Sequence, residues 1–262
     1  MSRVQQTIDE LITATRILVG EGILDGFGHV SARHPDVPDR YLMVRSNLAG
    51  EPTEGRVIEL DADSNPVRPD SGRPSIERFI HGEVYRQRPD VLAIVHTHAP
   101  SLIPFGVCNV PLRPLYHMGG FLEDGPPVFD IRANHGVTNM LVTSREIGQS
   151  LATSLGSRAM VLMRGHGATV VFTSLKEAVY RAVYAAQRSA PADRDAARAA
   201  DVPRPGRGEA GRRAAPRRVR SPVGVLAGEA PAGADLEGQR LSRQGCSSAP
   251  VDLVISSRKL VS

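Results

Sequence analysis

The sequence predicts an α/β protein in three layers, α/β/α, with a mixed central sheet. Three observations carry this expectation. Apolar runs of strand length alternate with segments of helical apolar spacing. Capping signatures stand where two of those helices begin. The glycine patterns of dinucleotide and P-loop folds do not accompany the alternation, so a layered mixed sheet is the simplest arrangement left.

The elements follow in order. Ile8, Leu11, Ile12, Thr15, Leu18 and Val19 recur at helical spacing and predict an amphipathic helix ending near Gly20. Strand-like segments follow at 29–33, 41–45 and 56–60, with Asp61-Ala62-Asp63-Ser64-Asn65 as a turn. A helix is expected over 75–88, burying Ile76, Phe79, Ile80 and Val84 and stopped by Pro89. Val91-Leu92-Ala93-Ile94-Val95 reads as a buried strand. A proline-rich loop through Pro111, Pro114, Tyr116 and His117 leads to a strand at 128–131. Thr143-Ser144-Arg145-Glu146 opens a further helix as a capping box. Two apolar runs, 159–163 and 168–172, flank Arg164-Gly165-His166-Gly167. Ser174-Leu175-Lys176-Glu177 is a second capping box, and its helix carries Leu175, Ala178, Val179, Ala182, Val183 and Ala186 on one face.

The 262 residues divide near Arg188. Residues 1–188 read as one catalytic domain. Residues 189–262 contain no aromatic residue, no histidine and a single lysine, and are dominated by Arg, Ala, Gly and Pro. That stretch reads either as a disordered tail or as a segment out of frame, since GC-rich codons give this composition in a wrong frame. The formal charge of +4 belongs to it: it holds 13 of the 32 Lys and Arg but 8 of the 28 Asp and Glu. The expected domain is therefore close to neutral, and the charge gives no reason to expect a nucleic-acid partner. Cys108 and Cys246 lack metal or redox spacing and fit a reducing compartment. With no signal-peptide pattern and no apolar run of membrane-span length, a cytoplasmic protein without a membrane partner is expected.

Three histidines carry the chemistry. His96 and His98 follow the buried strand at a spacing of two, which puts both on one side of it. His166 stands between two glycines, which permit a tight bend and a close approach to the backbone. Three imidazoles with an open position suit a catalytic divalent metal, Zn2+ or Mn2+, and Fe2+ also fits. Taken singly, His29, His34, His81 and His135 read as ordinary structural or solvated histidines. Glu77 reads either as a metal-reaching carboxylate or as a solvated first-turn glutamate favoured by the helix dipole. Arg45 reads either as a partner for a substrate carboxylate or as a surface ion pair.

Gly26-Phe27-Gly28-His29-Val30-Ser31-Ala32-Arg33, Pro74-Ser75-Ile76-Glu77, Arg88-Pro89-Asp90-Val91 leading into His96-Thr97-His98, and Gly165-His166-Gly167 together resemble the class II aldolase/adducin family. The resemblance implies an α/β/α fold with a largely antiparallel sheet. It also implies a homotetramer with active sites at subunit interfaces and one divalent ion per subunit, on His96, His98 and His166. It assigns the catalytic acid/base, which also touches the metal, to Glu77. Substrate-binding positions fall on His29, Arg45, Ser46 and Ser75. Sugar-phosphate aldolases of the family usually place Asn where His29 stands and a serine where Ile76 stands, so the phosphate cradle is weakened here. The stretch 104–118 resembles the branch that decarboxylates hydroxylated aromatic acids, with His117 in place of a proton-donating tyrosine from a neighbouring subunit. The expected function is a metal-dependent, non-oxidative decarboxylase of a dihydroxylated aromatic dicarboxylate such as 3,4-dihydroxyphthalate. An aldolase or epimerase acting on a small hydroxy-keto compound is the second expectation. A metal-free, adducin-like interaction module is the third.

Overall fold

The computed structural model describes residues 1–45, 53–108 and 110–187. Ser46 and the segment from Arg188 onward lie outside the described residues. A seven-stranded sheet runs in the order β3-β2-β1-β4-β7-β6-β5. Its strands are β1 (His29–Arg33), β2 (Tyr41–Val44), β3 (Val57–Leu60), β4 (Ala93–Thr97), β5 (Val128–Phe129), β6 (Met160–Met163) and β7 (Gly167–Phe172). Only β5 and β6 pair in parallel; the other pairs are antiparallel, so the sheet is mixed and mainly antiparallel.

The sheet has an apolar side chain on both faces, as alternation along a doubly covered sheet requires. Val30, Val95, Val170 and Leu162 pack on one face with α1 (Arg3–Gly20) and α6 (Leu175–Gln187). Ile94, Val171, Val161 and Met43 face the other layer, built from α2 (Phe79–Gln87) and α5 (Arg145–Leu155). This is the three-layer α/β/α fold expected. Two short helices, α3 (Ile103–Val107) and α4 (Ile131–His135), were not expected.

Both capping signatures sit at helix starts. The Glu177 N–H donates to Ser174 Oγ at 3.3 Å, as predicted. For α5 the cap is Ser144, which accepts from the Ile147 N–H at 3.4 Å, one residue later than the box predicts.

One helix boundary differs in a way that matters. The helix expected over 75–88 begins only at Phe79, and residues 76–78 form a turn. The Glu77 N–H donates to Ser75 Oγ at 3.2 Å, so the serine folds the chain before the helix starts. Helical phase does not apply to that turn. Ile76, expected inside, is 57% exposed, and Glu77, expected opposite the apolar face, is buried at 5%.

Candidate metal centre

One strand, the residue just past its end and one turn present the three imidazoles. His96 is on β4, where every residue is buried, and His98 lies just past its end. Both still face the same side, with their Nε2 atoms 3.0 Å apart. His166 stands in the β6–β7 turn, which Gly165 closes in the left-handed region at φ +66°. Its Nε2 lies 3.1 Å from that of His98. Glu77 Oε2 lies 3.7 Å from His96 Nε2 and 3.5 Å from His166 Nε2. One donor atom from each of the four residues falls within 4.8 Å of the others.

Gly167 has a different task from the one expected of it. A Cβ there would stand 2.1 Å from the Thr97 carbonyl oxygen and 3.2 Å from His98 Cα. The close approach it permits is to the neighbouring strand, not to a ligand.

The remaining ring nitrogens fix the tautomers. His98 Nδ1 lies 3.1 Å from both oxygens of Asp25, a carboxylate that itself accepts the Phe27 and Gly28 N–H groups at 2.9 and 2.7 Å. His166 Nδ1 donates to the Met140 carbonyl at 2.9 Å. His96 Nδ1 faces Thr169 Oγ1 at 3.4 Å, while that hydroxyl points its proton to Met163 Sδ at 3.5 Å. A carboxylate and a carbonyl only accept, so each Nδ1 carries the proton and each Nε2 is a bare lone pair. The lone pair of His98 then lies 3.0 and 3.1 Å from those of His96 and His166, a repulsive arrangement unless a cation lies among them. The donor set therefore fits a divalent ion, with the carboxylate as a further ligand.

Glu77 and His166 also favour each other's charged form, a pairing that an ion on His166 Nε2 would replace. Burial raises the pKa of Glu77, but the hydrogen bond and charge of His166 and the Val142 N–H outweigh it, and the carboxyl is held below its usual range. The Val142 N–H donates to Glu77 Oε1 at 2.9 Å. Burial acts to lower His166, but Glu77 and the Met140 carbonyl raise it on balance. Burial and the neighbouring histidines hold His96 neutral, well below the ordinary histidine range.

The other predicted site residues are distributed unevenly. His29 is buried and pairs with His96 across β1 and β4, with ring centroids 5.0 Å apart. Ser75 is one step removed, turning the chain so that Glu77 points inward. Arg45 Nη2 reaches the Gly55 carbonyl at 3.5 Å. His117 is exposed, with its ring against Tyr116 at 5.7 Å, and is not gathered with the other four within this chain. His34 and His135 are structural as read: His34 Nδ1 accepts the Asp36 and Val37 N–H groups, and His135 Nε2 lies 2.9 Å from Ser150 Oγ.

Sequence reasoning missed Asp25, Thr169, the Met140 carbonyl and the Val142 N–H. Thr169 had a signal, being a hydroxyl inside an apolar strand run. Asp25 stands in a Leu-Asp-Gly-Phe-Gly turn that offers only a local reading. The two backbone groups carry none. His81 fits the structural one of its two readings, being wholly buried and hydrogen-bonded to His29.

Comparison with known proteins agrees with the geometry. Decarboxylase tropJ of Talaromyces stipitatus is 36% identical over 191 residues, covering 68% of this chain and 72% of that one. A 3,4-dihydroxyphthalate decarboxylase of Rhodococcus jostii is 31% identical over 185 residues, covering 64% and 72%. An L-fuculose phosphate aldolase of Escherichia coli is 27% identical over 183 residues, covering 68% and 76%. Among solved structures, an aldolase II superfamily protein from Pseudomonas syringae superposes with a TM-score of 0.64 at 19% identity, covering 79% of this chain and 83% of that one. YgbL from Klebsiella pneumoniae, a putative aldolase/epimerase/decarboxylase, gives 0.59 at 24% identity, covering 72% and 89%. Residues 9–190 match the family model described as the class II aldolase and adducin N-terminal domain, and the chain belongs to that family.

Proposed function

We propose that this protein is a divalent-metal-dependent, non-oxidative decarboxylase of a small dihydroxylated aromatic dicarboxylate, 3,4-dihydroxyphthalate, in aromatic catabolism in the cytoplasm. The observation that carries the reading is the gathering of Glu77 with the Nε2 atoms of three histidines. It is supported by relatives at 30–36% identity whose names are decarboxylases, three of them of 3,4-dihydroxyphthalate.

Glu77, His96, His98 and His166 would hold one ion, Zn2+, Mn2+ or Fe2+. When bound it supplies Lewis-acid stabilisation of negative charge on a neighbouring substrate oxygen. Glu77, held ionised by His166, is poised to take a proton from the ring hydroxyl. The same carboxyl, or His117 reaching in from a neighbouring subunit of a homotetramer, delivers a proton to the ring carbon that bears the departing carboxylate. The bond to that carboxylate then breaks, its electron pair restores the aromatic ring, and CO2 leaves. The hydroxyl regains its proton from solvent, so each turnover consumes one proton. Arg45 and Ser46 supply polar contacts to the substrate's second carboxylate, and Ser75 keeps Glu77 aimed at the ring.

The aldolase reading has less support. A phosphate needs several donors around its oxygens. Beside Glu77 the chain offers the exposed apolar side chain of Ile76, and His29 takes the place of an amide. Metal analysis of tag-free protein separates either enzyme from a metal-free interaction module. CO2 release from 3,4-dihydroxyphthalate by the Zn2+- or Mn2+-loaded protein tests the decarboxylase. Absence of CO2 together with cleavage of L-fuculose 1-phosphate would refute it in favour of the aldolase.

A further inference from the structure

Next to the four metal-site residues runs a second, separate set of buried polar side chains. His29 and Ser31 lie two apart on β1 and share one face of the sheet. His81 and Tyr85 lie four apart on α2 and share one face of that helix. The two faces meet. His29 Nδ1 is 2.7 Å from His81 Nε2, His81 Nδ1 is 2.6 Å from Ser31 Oγ, and Ser31 Oγ is 2.7 Å from the Tyr85 hydroxyl. None of the four residues is more than 5% exposed. The chain leaves one polar atom over: His29 Nε2 is fully buried, without a partner among the described residues, in a ring packed against that of His96.

If each group passes its hydrogen on to the next, the hydrogens run along this chain in one of two directions. In one, Tyr85 donates to Ser31, Ser31 to His81 Nδ1, and His81 Nε2–H to His29 Nδ1. Every proton within the chain then has an acceptor, and the one donor left over, His29 Nε2–H, stands beside the metal-site imidazoles, where a ligand oxygen can accept it. In the other, His29 donates to His81, His81 to Ser31 and Ser31 to Tyr85. The phenolic proton is then left without an acceptor among the described residues, and a fourth bare lone pair stands beside the three on the metal ligands. Burial pushes the Tyr85 hydroxyl well above its usual range, so it keeps its proton and must place it somewhere. Either direction leaves one donor over, but only the first leaves it where a bound ligand can satisfy it.

We propose that Tyr85, Ser31 and His81 are positioning residues that hold His29 as the Nε2–H tautomer, making it a hydrogen-bond donor to an anionic oxygen of the substrate. Naming that oxygen as one from the leaving carboxylate rests on the decarboxylase reading; the direction of the chain does not. His29 therefore has the opposite tautomer to His96, His98 and His166, which carry their protons on Nδ1. It binds ligand oxygen where they bind metal. An imidazole fixed by a second imidazole donates along one line only, a stricter requirement than the two-way hydrogen bonding of an amide at the same place.

The tautomers are read directly by long-range 1H–15N correlation of the full chain labelled at histidine, in the Zn2+-loaded state, with peaks assigned by single substitutions. His29 and His81 are expected as Nε2–H forms. Finding His29 as the Nδ1–H form or as a charged ring overturns the proposal. The second arm compares His81→Gln with His81→Leu. A glutamine can accept from Ser31 and donate to His29, whereas leucine can do neither. With one Zn2+ per chain retained in both, His81→Leu should lose roughly 10–100-fold in kcat/KM on 3,4-dihydroxyphthalate, as loss of an orienting partner typically does. His81→Gln should recover most of that. Equal rates in the two variants, or wild-type rates in His81→Leu, overturn the proposal. Failure of the wild-type protein to release CO2 would instead remove the decarboxylase reading, and the spectrum would still decide the direction of the chain.

Discussion

Substituting Gly167 by alanine tests whether the metal centre depends on the spacing of β4 and β7. The new Cβ would stand 2.1 Å from the Thr97 carbonyl oxygen and 3.1 Å from its carbon, both backbone atoms that cannot rotate aside. Ordinary contact needs about 3.5 Å, so the strands must part by roughly 1 Å at the end that carries His98. Overpacking of this kind costs about 1–3 kcal/mol. In a folded region of this size each kcal/mol lowers Tm by about 2–4 °C. The effect on the metal should be sharper. Zinc–nitrogen bonds are about 2.0–2.1 Å, so a shift of roughly 1 Å takes one imidazole out of coordination. Competition titration of Zn2+ against a chromophoric chelator should show at least a 10-fold weaker site, and thermal melts of the metal-free protein should show the lower Tm. Gly136→Ala is the control: it stands at φ +66° with nothing within 4 Å of the added carbon. It should lower Tm through backbone strain and leave zinc affinity unchanged. Wild-type zinc affinity in Gly167→Ala would refute the argument that the strand spacing sets the ligand geometry.

Three further outcomes are expected. Glu77→Gln keeps the three imidazoles and an oxygen for the Val142 N–H, so it should retain bound metal while kcat falls about 10²–10⁴-fold, measured by metal content and CO2 release. Asp25→Asn removes the charge that orients His98 Nδ1–H, and zinc affinity should fall about 10–100-fold by the same chelator competition. Metal-free protein should lose stability in mild acid. Burial lowers the folded-state pKa of His81 from 6.5 to about 3, so the unfolded chain binds the extra proton below pH 6.5. This contribution is complete above pH 6.5 and shrinks as pH falls toward 3. At pH 5.5 the loss amounts to about 1.4 kcal/mol from His81 alone. Urea melts at pH 7.5 and 5.5 would contradict it by giving equal stability.

The sheet strands and the long helices were legible because their signals are local. Val91 to Val95 announces β4 by composition, and the spacing of Leu11, Thr15 and Leu18 announces the buried face of α1. The three histidines were legible because His-x-His behind a buried strand and Gly-His-Gly between two strands are uncommon local patterns. Glu77 was found through resemblance, with the wrong local structure attached. The helical period was carried back through Ile76, although the Ser75 hydroxyl interrupts it and turns Glu77 inward. Asp25, the Met140 carbonyl and the Val142 N–H were not legible, since each is tied to a site residue 26 to 73 positions away along the chain. His81 was within reach. Read together, His81 and Tyr85 on one helical face and His29 and Ser31 on one strand face are four polar groups at positions that packing would fill with apolar ones.

That pattern explains how a buried sheet can hold a reactive centre without losing its register. His29, His96 and Thr169 form a polar row across β1, β4 and β7, since His29 pairs with His96 and His96 with Thr169. By alternation the row lies on the same face as Ile94 and Val171, the face covered by α2 and α5. A slip of one residue in either pairing would turn its polar groups toward α1 and α6 and send valines to the candidate metal site. The slip is opposed from both sides, because Val30, Val95 and Val170 fill the opposite face. Each histidine in the row has its Nδ1 beside a polar neighbour, His29 beside His81 and His96 beside Thr169, which leaves His29 Nε2 as the one ring nitrogen of the row without a partner other than the metal-site groups. The apolar residues fix the register, and the register places the imidazoles. The site is therefore as rigid as the core that carries it, while its substrate-facing edge, with exposed Ile76 beside buried Glu77, lies in a turn that can vary without disturbing the strands.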